Sequence, residues 1–145
     1  MEFEKKNIHM EHMKNKASVQ MNLEEDHNIS DRNPDAFRII QKRATVKPGE
    51  VKSFEDSILV KGSMCYEVLY LTEGSERKIC SISGEIPFEQ SIHTGKLEKG
   101  ITPRVCIRVE NITARLIHSR KMNIRGILEA VVYLDELLEE ELLLC

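Results

Sequence analysis

Five histidines, four cysteines and one compact polar trio are the residues of this chain whose types could do chemistry. His9 and His12 lie three apart in "IHMEHM", close enough to share a metal on a helical turn, and His27 is a third candidate ligand. Structural zinc wants four ligands, commonly with cysteines in short pairs, and Cys65, Cys80, Cys106 and Cys145 include no C-x-x-C. The histidines therefore read as solvent-exposed, and no metal site is assigned. Cys106 with His118 would make a thiol and imidazole dyad, but a reactive thiolate needs an electropositive, partly exposed niche. Cysteines within apolar alternation read as small hydrophobes, so reduced thiols are expected. "KGSMC" and "TGKLEKG" lack the spacing of a phosphate-cradling loop. The checklist for catalysis stays empty: no catalytic residue, no cofactor. What remains is "SRK", Ser119, Arg120 and Lys121, held between two alternating runs.

Composition narrows the partners. The chain of 145 residues suits one domain, and its formal charge of -3 comes from Lys, Arg, Asp and Glu interspersed along its length. That pattern advertises neither nucleic acid nor an anionic membrane. Trp is absent and aromatic residues make up 5%, which leaves little for base stacking. The longest apolar run, "AVVYL", is far below the roughly 18 residues of a spanning helix, and the charged N-terminus lacks the apolar stretch of a secretory signal. A cytoplasmic protein without a membrane span is the expectation.

The elements that must position these residues follow from period. Residues 1–15 read as a flexible arm. "ASVQMNL" alternates strictly as a strand, and "EEDHNISDRNP" reads as an acidic loop. In "PDAFRIIQKR", Pro34 opens and Phe37 and Ile40 fit an apolar face, so a short helix is predicted near residues 34–42. "TVKPGEVKSFED" suggests an edge or kinked strand, since Pro48 and Gly49 interrupt a ladder. In "SILVKGSMCYEVLYL" the apolar set falls on even positions, with Gly62 on the same row, which predicts a bulge or a close backbone approach there. "KICSISGEIPF" is also apolar on even positions, so even must face even and the loop must hold an odd number of residues, three or five. Gly74 would take its left-handed position. "EQSIHTGKLEKG" reads as a longer exposed connection. The last two runs flank "SRK", and the phase change from Val109 to Ile112 predicts a bulge near Glu110 and Asn111. The tail 137–145 is acidic and leucine-rich, an amphipathic start or a linker. The fold class is all-β with minor α: about six antiparallel strands in a sandwich or compact barrel, spanning 16–136, with one short helix.

The ordered set "DHNISDRNPDAFRII", "SILVKGSMCYEVLYLTEG", "GEIPFEQSI" and "IHSRKMNIRGILE" resembles the SPOCS domain of the SipL-type spore-envelope morphogenetic proteins of spore-forming Clostridia. The similarity runs from about residue 5 to residue 136. Its most specific pieces are Pro34 and Asp35 with Arg38, the "VKG" ending at Gly62, the "IPF" ending at Phe88, and Ser119, Arg120 and Lys121. Proteins of this kind carry two or three SPOCS copies and a C-terminal LysM domain, so this chain corresponds to a single N-terminal copy. "TVKPGEV" departs from the family's smoother strand at Pro48 and Gly49. The resemblance implies a noncatalytic module made in the mother cell and acting at the forespore surface or spore coat. Its implied partners are other spore-envelope proteins, the coat-base components, with self-association as a second class. The competing expectation is a glycan-binding β domain contacting its ligand through Arg120, Lys121, Tyr66 and Tyr70. Arg120 also has a structural alternative, because its planar fork could reach Asp35 or carbonyls of the neighbouring turn.

Overall fold

A computed structural model describes residues 16–95 and 103–134. Six strands account for most of them: β1 (Lys16–Asn28), β2 (Ala36–Ser53), β3 (Ser57–Thr72), β4 (Ile79–His93), β5 (Arg104–His118) and β6 (Lys121–Tyr133). All pairings are antiparallel, in two three-stranded sheets ordered β1-β6-β5 and β2-β3-β4. Alternation makes one face of each sheet apolar, and the two apolar faces bury each other in a sandwich-like arrangement. The central strands meet directly: Met64 of β3 presses its sulfur against Gly126 of β6, where a side chain would overlap it. At the flanks β2 lies beside β5 and β4 beside β1.

The even row of β3 is the centre of the core. Ile58, Met64, Val68 and Tyr70 are all 0% exposed, and Met122, Ile124, Leu128, Ala130 and Val132 of β6 answer them at the same value. Even does face even across β3 and β4, with Val68 opposite Ile82 and Met64 opposite Ile86. Beyond the last ladder pair, Thr72 and Lys78 close on each other, Thr72 N–H to Lys78 O at 2.9 Å and Lys78 N–H to Thr72 Oγ1 at 3.0 Å, and enclose five residues, 73–77. Gly74 takes the left-handed position with φ +115°. The phase change in β5 is a register shift between Val109 and Asn111. Gly62 makes a close approach rather than forming the bulge itself: a Cβ there would stand 2.8 Å from Lys47 O and 2.9 Å from the Phe88 ring. The irregularity lies opposite, in β2, between Pro48 and Val51. β2 is an edge strand, as its Pro48 and Gly49 suggested.

The helix predicted near residues 34–42 does not exist; Pro34 and Asp35 end the crossover from β1, and residues 36–42 open β2. Two register shifts, between Ala36 and Arg38 and between Ile39 and Gln41, break the two-residue period within one turn's length. The inward Ala36 and Ile39 then fall three apart, and so do the outward Phe37 and Ile40, so that either pair imitates a helical face. β-branched Ile39 and Ile40 and the waiting edge of β3 favour the ladder. Phe37 and Ile40 end up outside, 43% and 44% exposed, with the Arg77 guanidinium 4.0 Å above the Phe37 ring.

Two loop boundaries also move. Glu24–Asn28, expected in the acidic loop, extend β1, with Asn28 opposite Lys121. Residues 89–93, expected in a connection, extend β4, and Ile92 is 2% exposed. Cys65 and Cys80 are free thiols, whereas Cys106 is disulfide-bonded, against the expectation of reduced cysteines throughout. Spacing in the sequence carries no information on which thiols are brought together in space. The arm 1–15 and the tail 137–145 lie outside the described residues. Among the described residues no helix is long and apolar enough to cross a membrane.

Candidate functional site

"SRK" is the corner of the β5–β6 hairpin, and the crossover from β1 to β2 passes over it. The crossover must leave one sheet and enter the other, so residues 29–35 run without a ladder and their carbonyls need donors. Arg120 supplies them. Its Nη1 donates to Asn33 O at 2.7 Å and to Asp35 Oδ1 at 2.8 Å; its Nη2 donates to Ser30 O at 2.7 Å and Ile29 O at 3.1 Å. One planar fork thus engages three carbonyls and a carboxylate, a pattern a lysine cannot reproduce. The main chain completes the clamp: Ile29 N–H donates to Arg120 O at 2.9 Å, and Ala36 N–H to Ser119 O at 2.8 Å. Ser119 Oγ donates to Asp35 Oδ2 at 3.3 Å, and Glu73 N–H reaches Asp35 O at 2.9 Å, tying in the β3–β4 loop. The contact between Arg120 and Asp35 is therefore real, but it fastens a crossover to a hairpin, not a helix to a sheet.

A second polar cluster closes the flank between β1 and β4. Glu25 and His27 continue the inward row of β1 beyond Leu23, and Tyr66 of β3 reaches them by lying flat across Gly84 of β4. The Tyr66 hydroxyl donates to Glu25 Oε2 at 2.7 Å; with its proton so used, it accepts from His27 Nδ1 at 2.8 Å. Burial, with the Glu25 carboxylate beside it, holds the Tyr66 phenol well above its ordinary range. A hydroxyl so held is a poor nucleophile and a stable strut. His27 and Tyr66 stand out in the sequence for other chemistry, a metal and a glycan, and nothing there joins them; extending the odd-position alternation of β1 past Leu23 points to both Glu25 and His27 as inward polar residues. Below the hairpin corner, Tyr70 is fully buried beside Cys80, and its hydroxyl has no hydrogen-bond partner among the described residues. Desolvation raises its pKa too.

Of the residues singled out from the sequence, Asp35, Ser119 and Arg120 are brought together, with Pro34 next to them in the crossover. Lys121 opens β6 opposite Asn28 and His118. Gly62 and Phe88 form a separate cross-strand pair, with Phe88 in the core at 8% exposure. Arg38 stands apart on β2, opposite Leu71 and exposed. Tyr66 and Tyr70, 2% and 0% exposed, belong to the core and cannot line a ligand pocket with Arg120 and Lys121 as the glycan expectation required. Cys106 and His118 sit twelve residues apart along β5, roughly 40 Å at strand rise, so they form no dyad. No three His, Cys, Asp or Glu among the described residues are grouped to hold a metal. The arrangement is one of ties between elements: a guanidinium over a crossover, a phenol across a flank.

No curated protein and no solved structure matches the chain. The family model of the SipL SPOCS domain matches residues 35–117, which opens on Asp35 of the clamp and runs from β2 through β5. A match over more than half of the chain, on a fold whose crossover is fixed by Asp35, shows that the chain belongs to the SipL SPOCS domain family.

Proposed function

We propose that this domain is a noncatalytic structural and protein-interaction module of spore coat and envelope assembly, working in the mother-cell cytoplasm at the forespore surface. The observation that carries this reading is the family match over residues 35–117. The architecture supports it. The polar groups of the two clusters are engaged in holding crossover, hairpin and flank together, and among the described residues β1, β2, β4 and β5 each leave one edge without a ladder. Strand edges are the usual currency of β-domain recognition, through main-chain hydrogen bonds to an added chain. Partners on this reading are coat-base components of the spore envelope. A fluorescent fusion followed through sporulation is expected to gather at the forespore; a signal that stays diffuse in the mother cell overturns the proposal.

A further inference from the structure

The two flanks of the molecule are opposite in charge and in closure. β2 and β5, neighbours on one flank, together carry eight Lys or Arg against two Glu. β1 and β4, neighbours on the other, carry one Lys against five Asp or Glu. Eight of the 21 Lys and Arg of a chain of formal charge -3 thus lie on one flank, with Lys47 reaching across β3 to Glu85 at 3.8 Å. The acidic flank is sealed: Ile82, Ile86, Phe88 and Ile92 of β4 are at most 8% exposed, and Tyr66 bridges to Glu25 and His27. The basic flank is open. Ala44 and Val46 of β2 and Ile107 and Val109 of β5 are only half-buried, and with Thr45 and Arg108 they line a groove of about 440 Å³.

We propose that copies of this chain associate head to tail, the acidic β1/β4 flank of one seated against the basic β2/β5 flank of the next. Two basic flanks repel each other, as do two acidic ones, so the charge pattern selects the mixed contact. Such a contact is heterologous: each added copy leaves one basic and one acidic flank free, and a row of domains grows. Half-buried apolar residues, and strand edges that have no ladder among the described residues, supply short-range adhesion; charge sets the order. Arg38 and Lys42 on the basic flank and Glu89 on the acidic one have no ion pair among the described residues and are available to a neighbour. The inference goes beyond the spore-envelope reading and does not depend on it.

Sedimentation velocity of the full chain tests it. At low ionic strength, species larger than the monomer are expected to grow with concentration, and to revert to monomer in about 1 M salt, where screening shortens to roughly 3 Å. Arg38→Glu with Lys42→Glu, and separately Asp26→Lys with Glu89→Lys, should each be monomeric alone, and an equimolar mixture of the two should associate again. Lys42→Glu and Glu89→Lys as single variants on exposed side chains replace any double variant that loses its melting transition. A monomer at every concentration overturns the proposal, as does association that neither charge reversal changes or a mixture that stays monomeric.

Discussion

Arg120 shows why a residue's worth is set by the number of groups it satisfies at once. Lysine at this position keeps the charge but offers one compact ammonium to four acceptors spread over residues 29–35. Arg120→Lys is expected to cost about 1–2 kcal/mol and to lower the melting temperature by roughly 3–8 °C, read by circular dichroism. The two buried tyrosines give a sharper contrast, because the same substitution should have opposite signs. Tyr66→Phe strands Glu25 and His27 and should destabilise by about 1–2 kcal/mol. Tyr70→Phe removes a hydroxyl that is buried without a partner, and should leave the melting temperature unchanged or raised. Both phenols are held above their ordinary pKa, so the folded state keeps its protons where the unfolded chain would lose them. That stability is complete below a pH of about 10 and declines as pH rises beyond it. In an alkaline titration, the tyrosinate absorbance of Tyr66 and Tyr70 should therefore appear only with unfolding.

Among the strands, glycines mark where elements touch. A methyl at Gly84 would overlap the Tyr66 ring and hydroxyl, which are pinned between strands. A methyl at Gly126 would overlap the end of the Met64 side chain, which has other rotamers open to it. Gly84→Ala is expected to cost about 2–3 kcal/mol and Gly126→Ala about 1 kcal/mol, with the order checked by urea denaturation. Alternation made β3 and β6 legible because they are central, regular and buried on one face. β2 was misjudged at its start because bulges change phase, and a shifted two-residue period is locally indistinguishable from a 3.6-residue one. The bulge in β5 was legible for the converse reason: long regular runs on both sides exposed the phase change.

For the whole molecule, the matched segment and the folding unit are different things. Residues 35–117 contain all of β2, β3 and β4 but leave β5 without β6, its ladder partner, and without β1. β6 supplies half of the buried centre, so a fragment of 35–117 should show no cooperative melting transition, while 16–134 should melt in one. A cooperative transition in the short fragment would contradict the two-sheet account. β1 and β6 pair residues as distant as Lys16 and Tyr133, contacts that only a completed chain can make.

The sequence by itself determined the all-β class, the six strands, the inward row of each central strand, the parity of the β3–β4 loop and the hairpin corner at Ser119–Arg120. These follow from local period, turn chemistry and the cost of burying a polar face, all of which act within one or two neighbouring strands. Tertiary structure alone decided which strands share a sheet, that Glu25 and His27 meet Tyr66, and that the cation-rich strands β2 and β5 lie side by side on one flank. Strand order is a global solution to burying two apolar faces at once, and no window of the sequence contains it. The arginine at the corner belongs to both: its chemistry was legible as a fork in search of acceptors, and the fold chose the crossover that needed one.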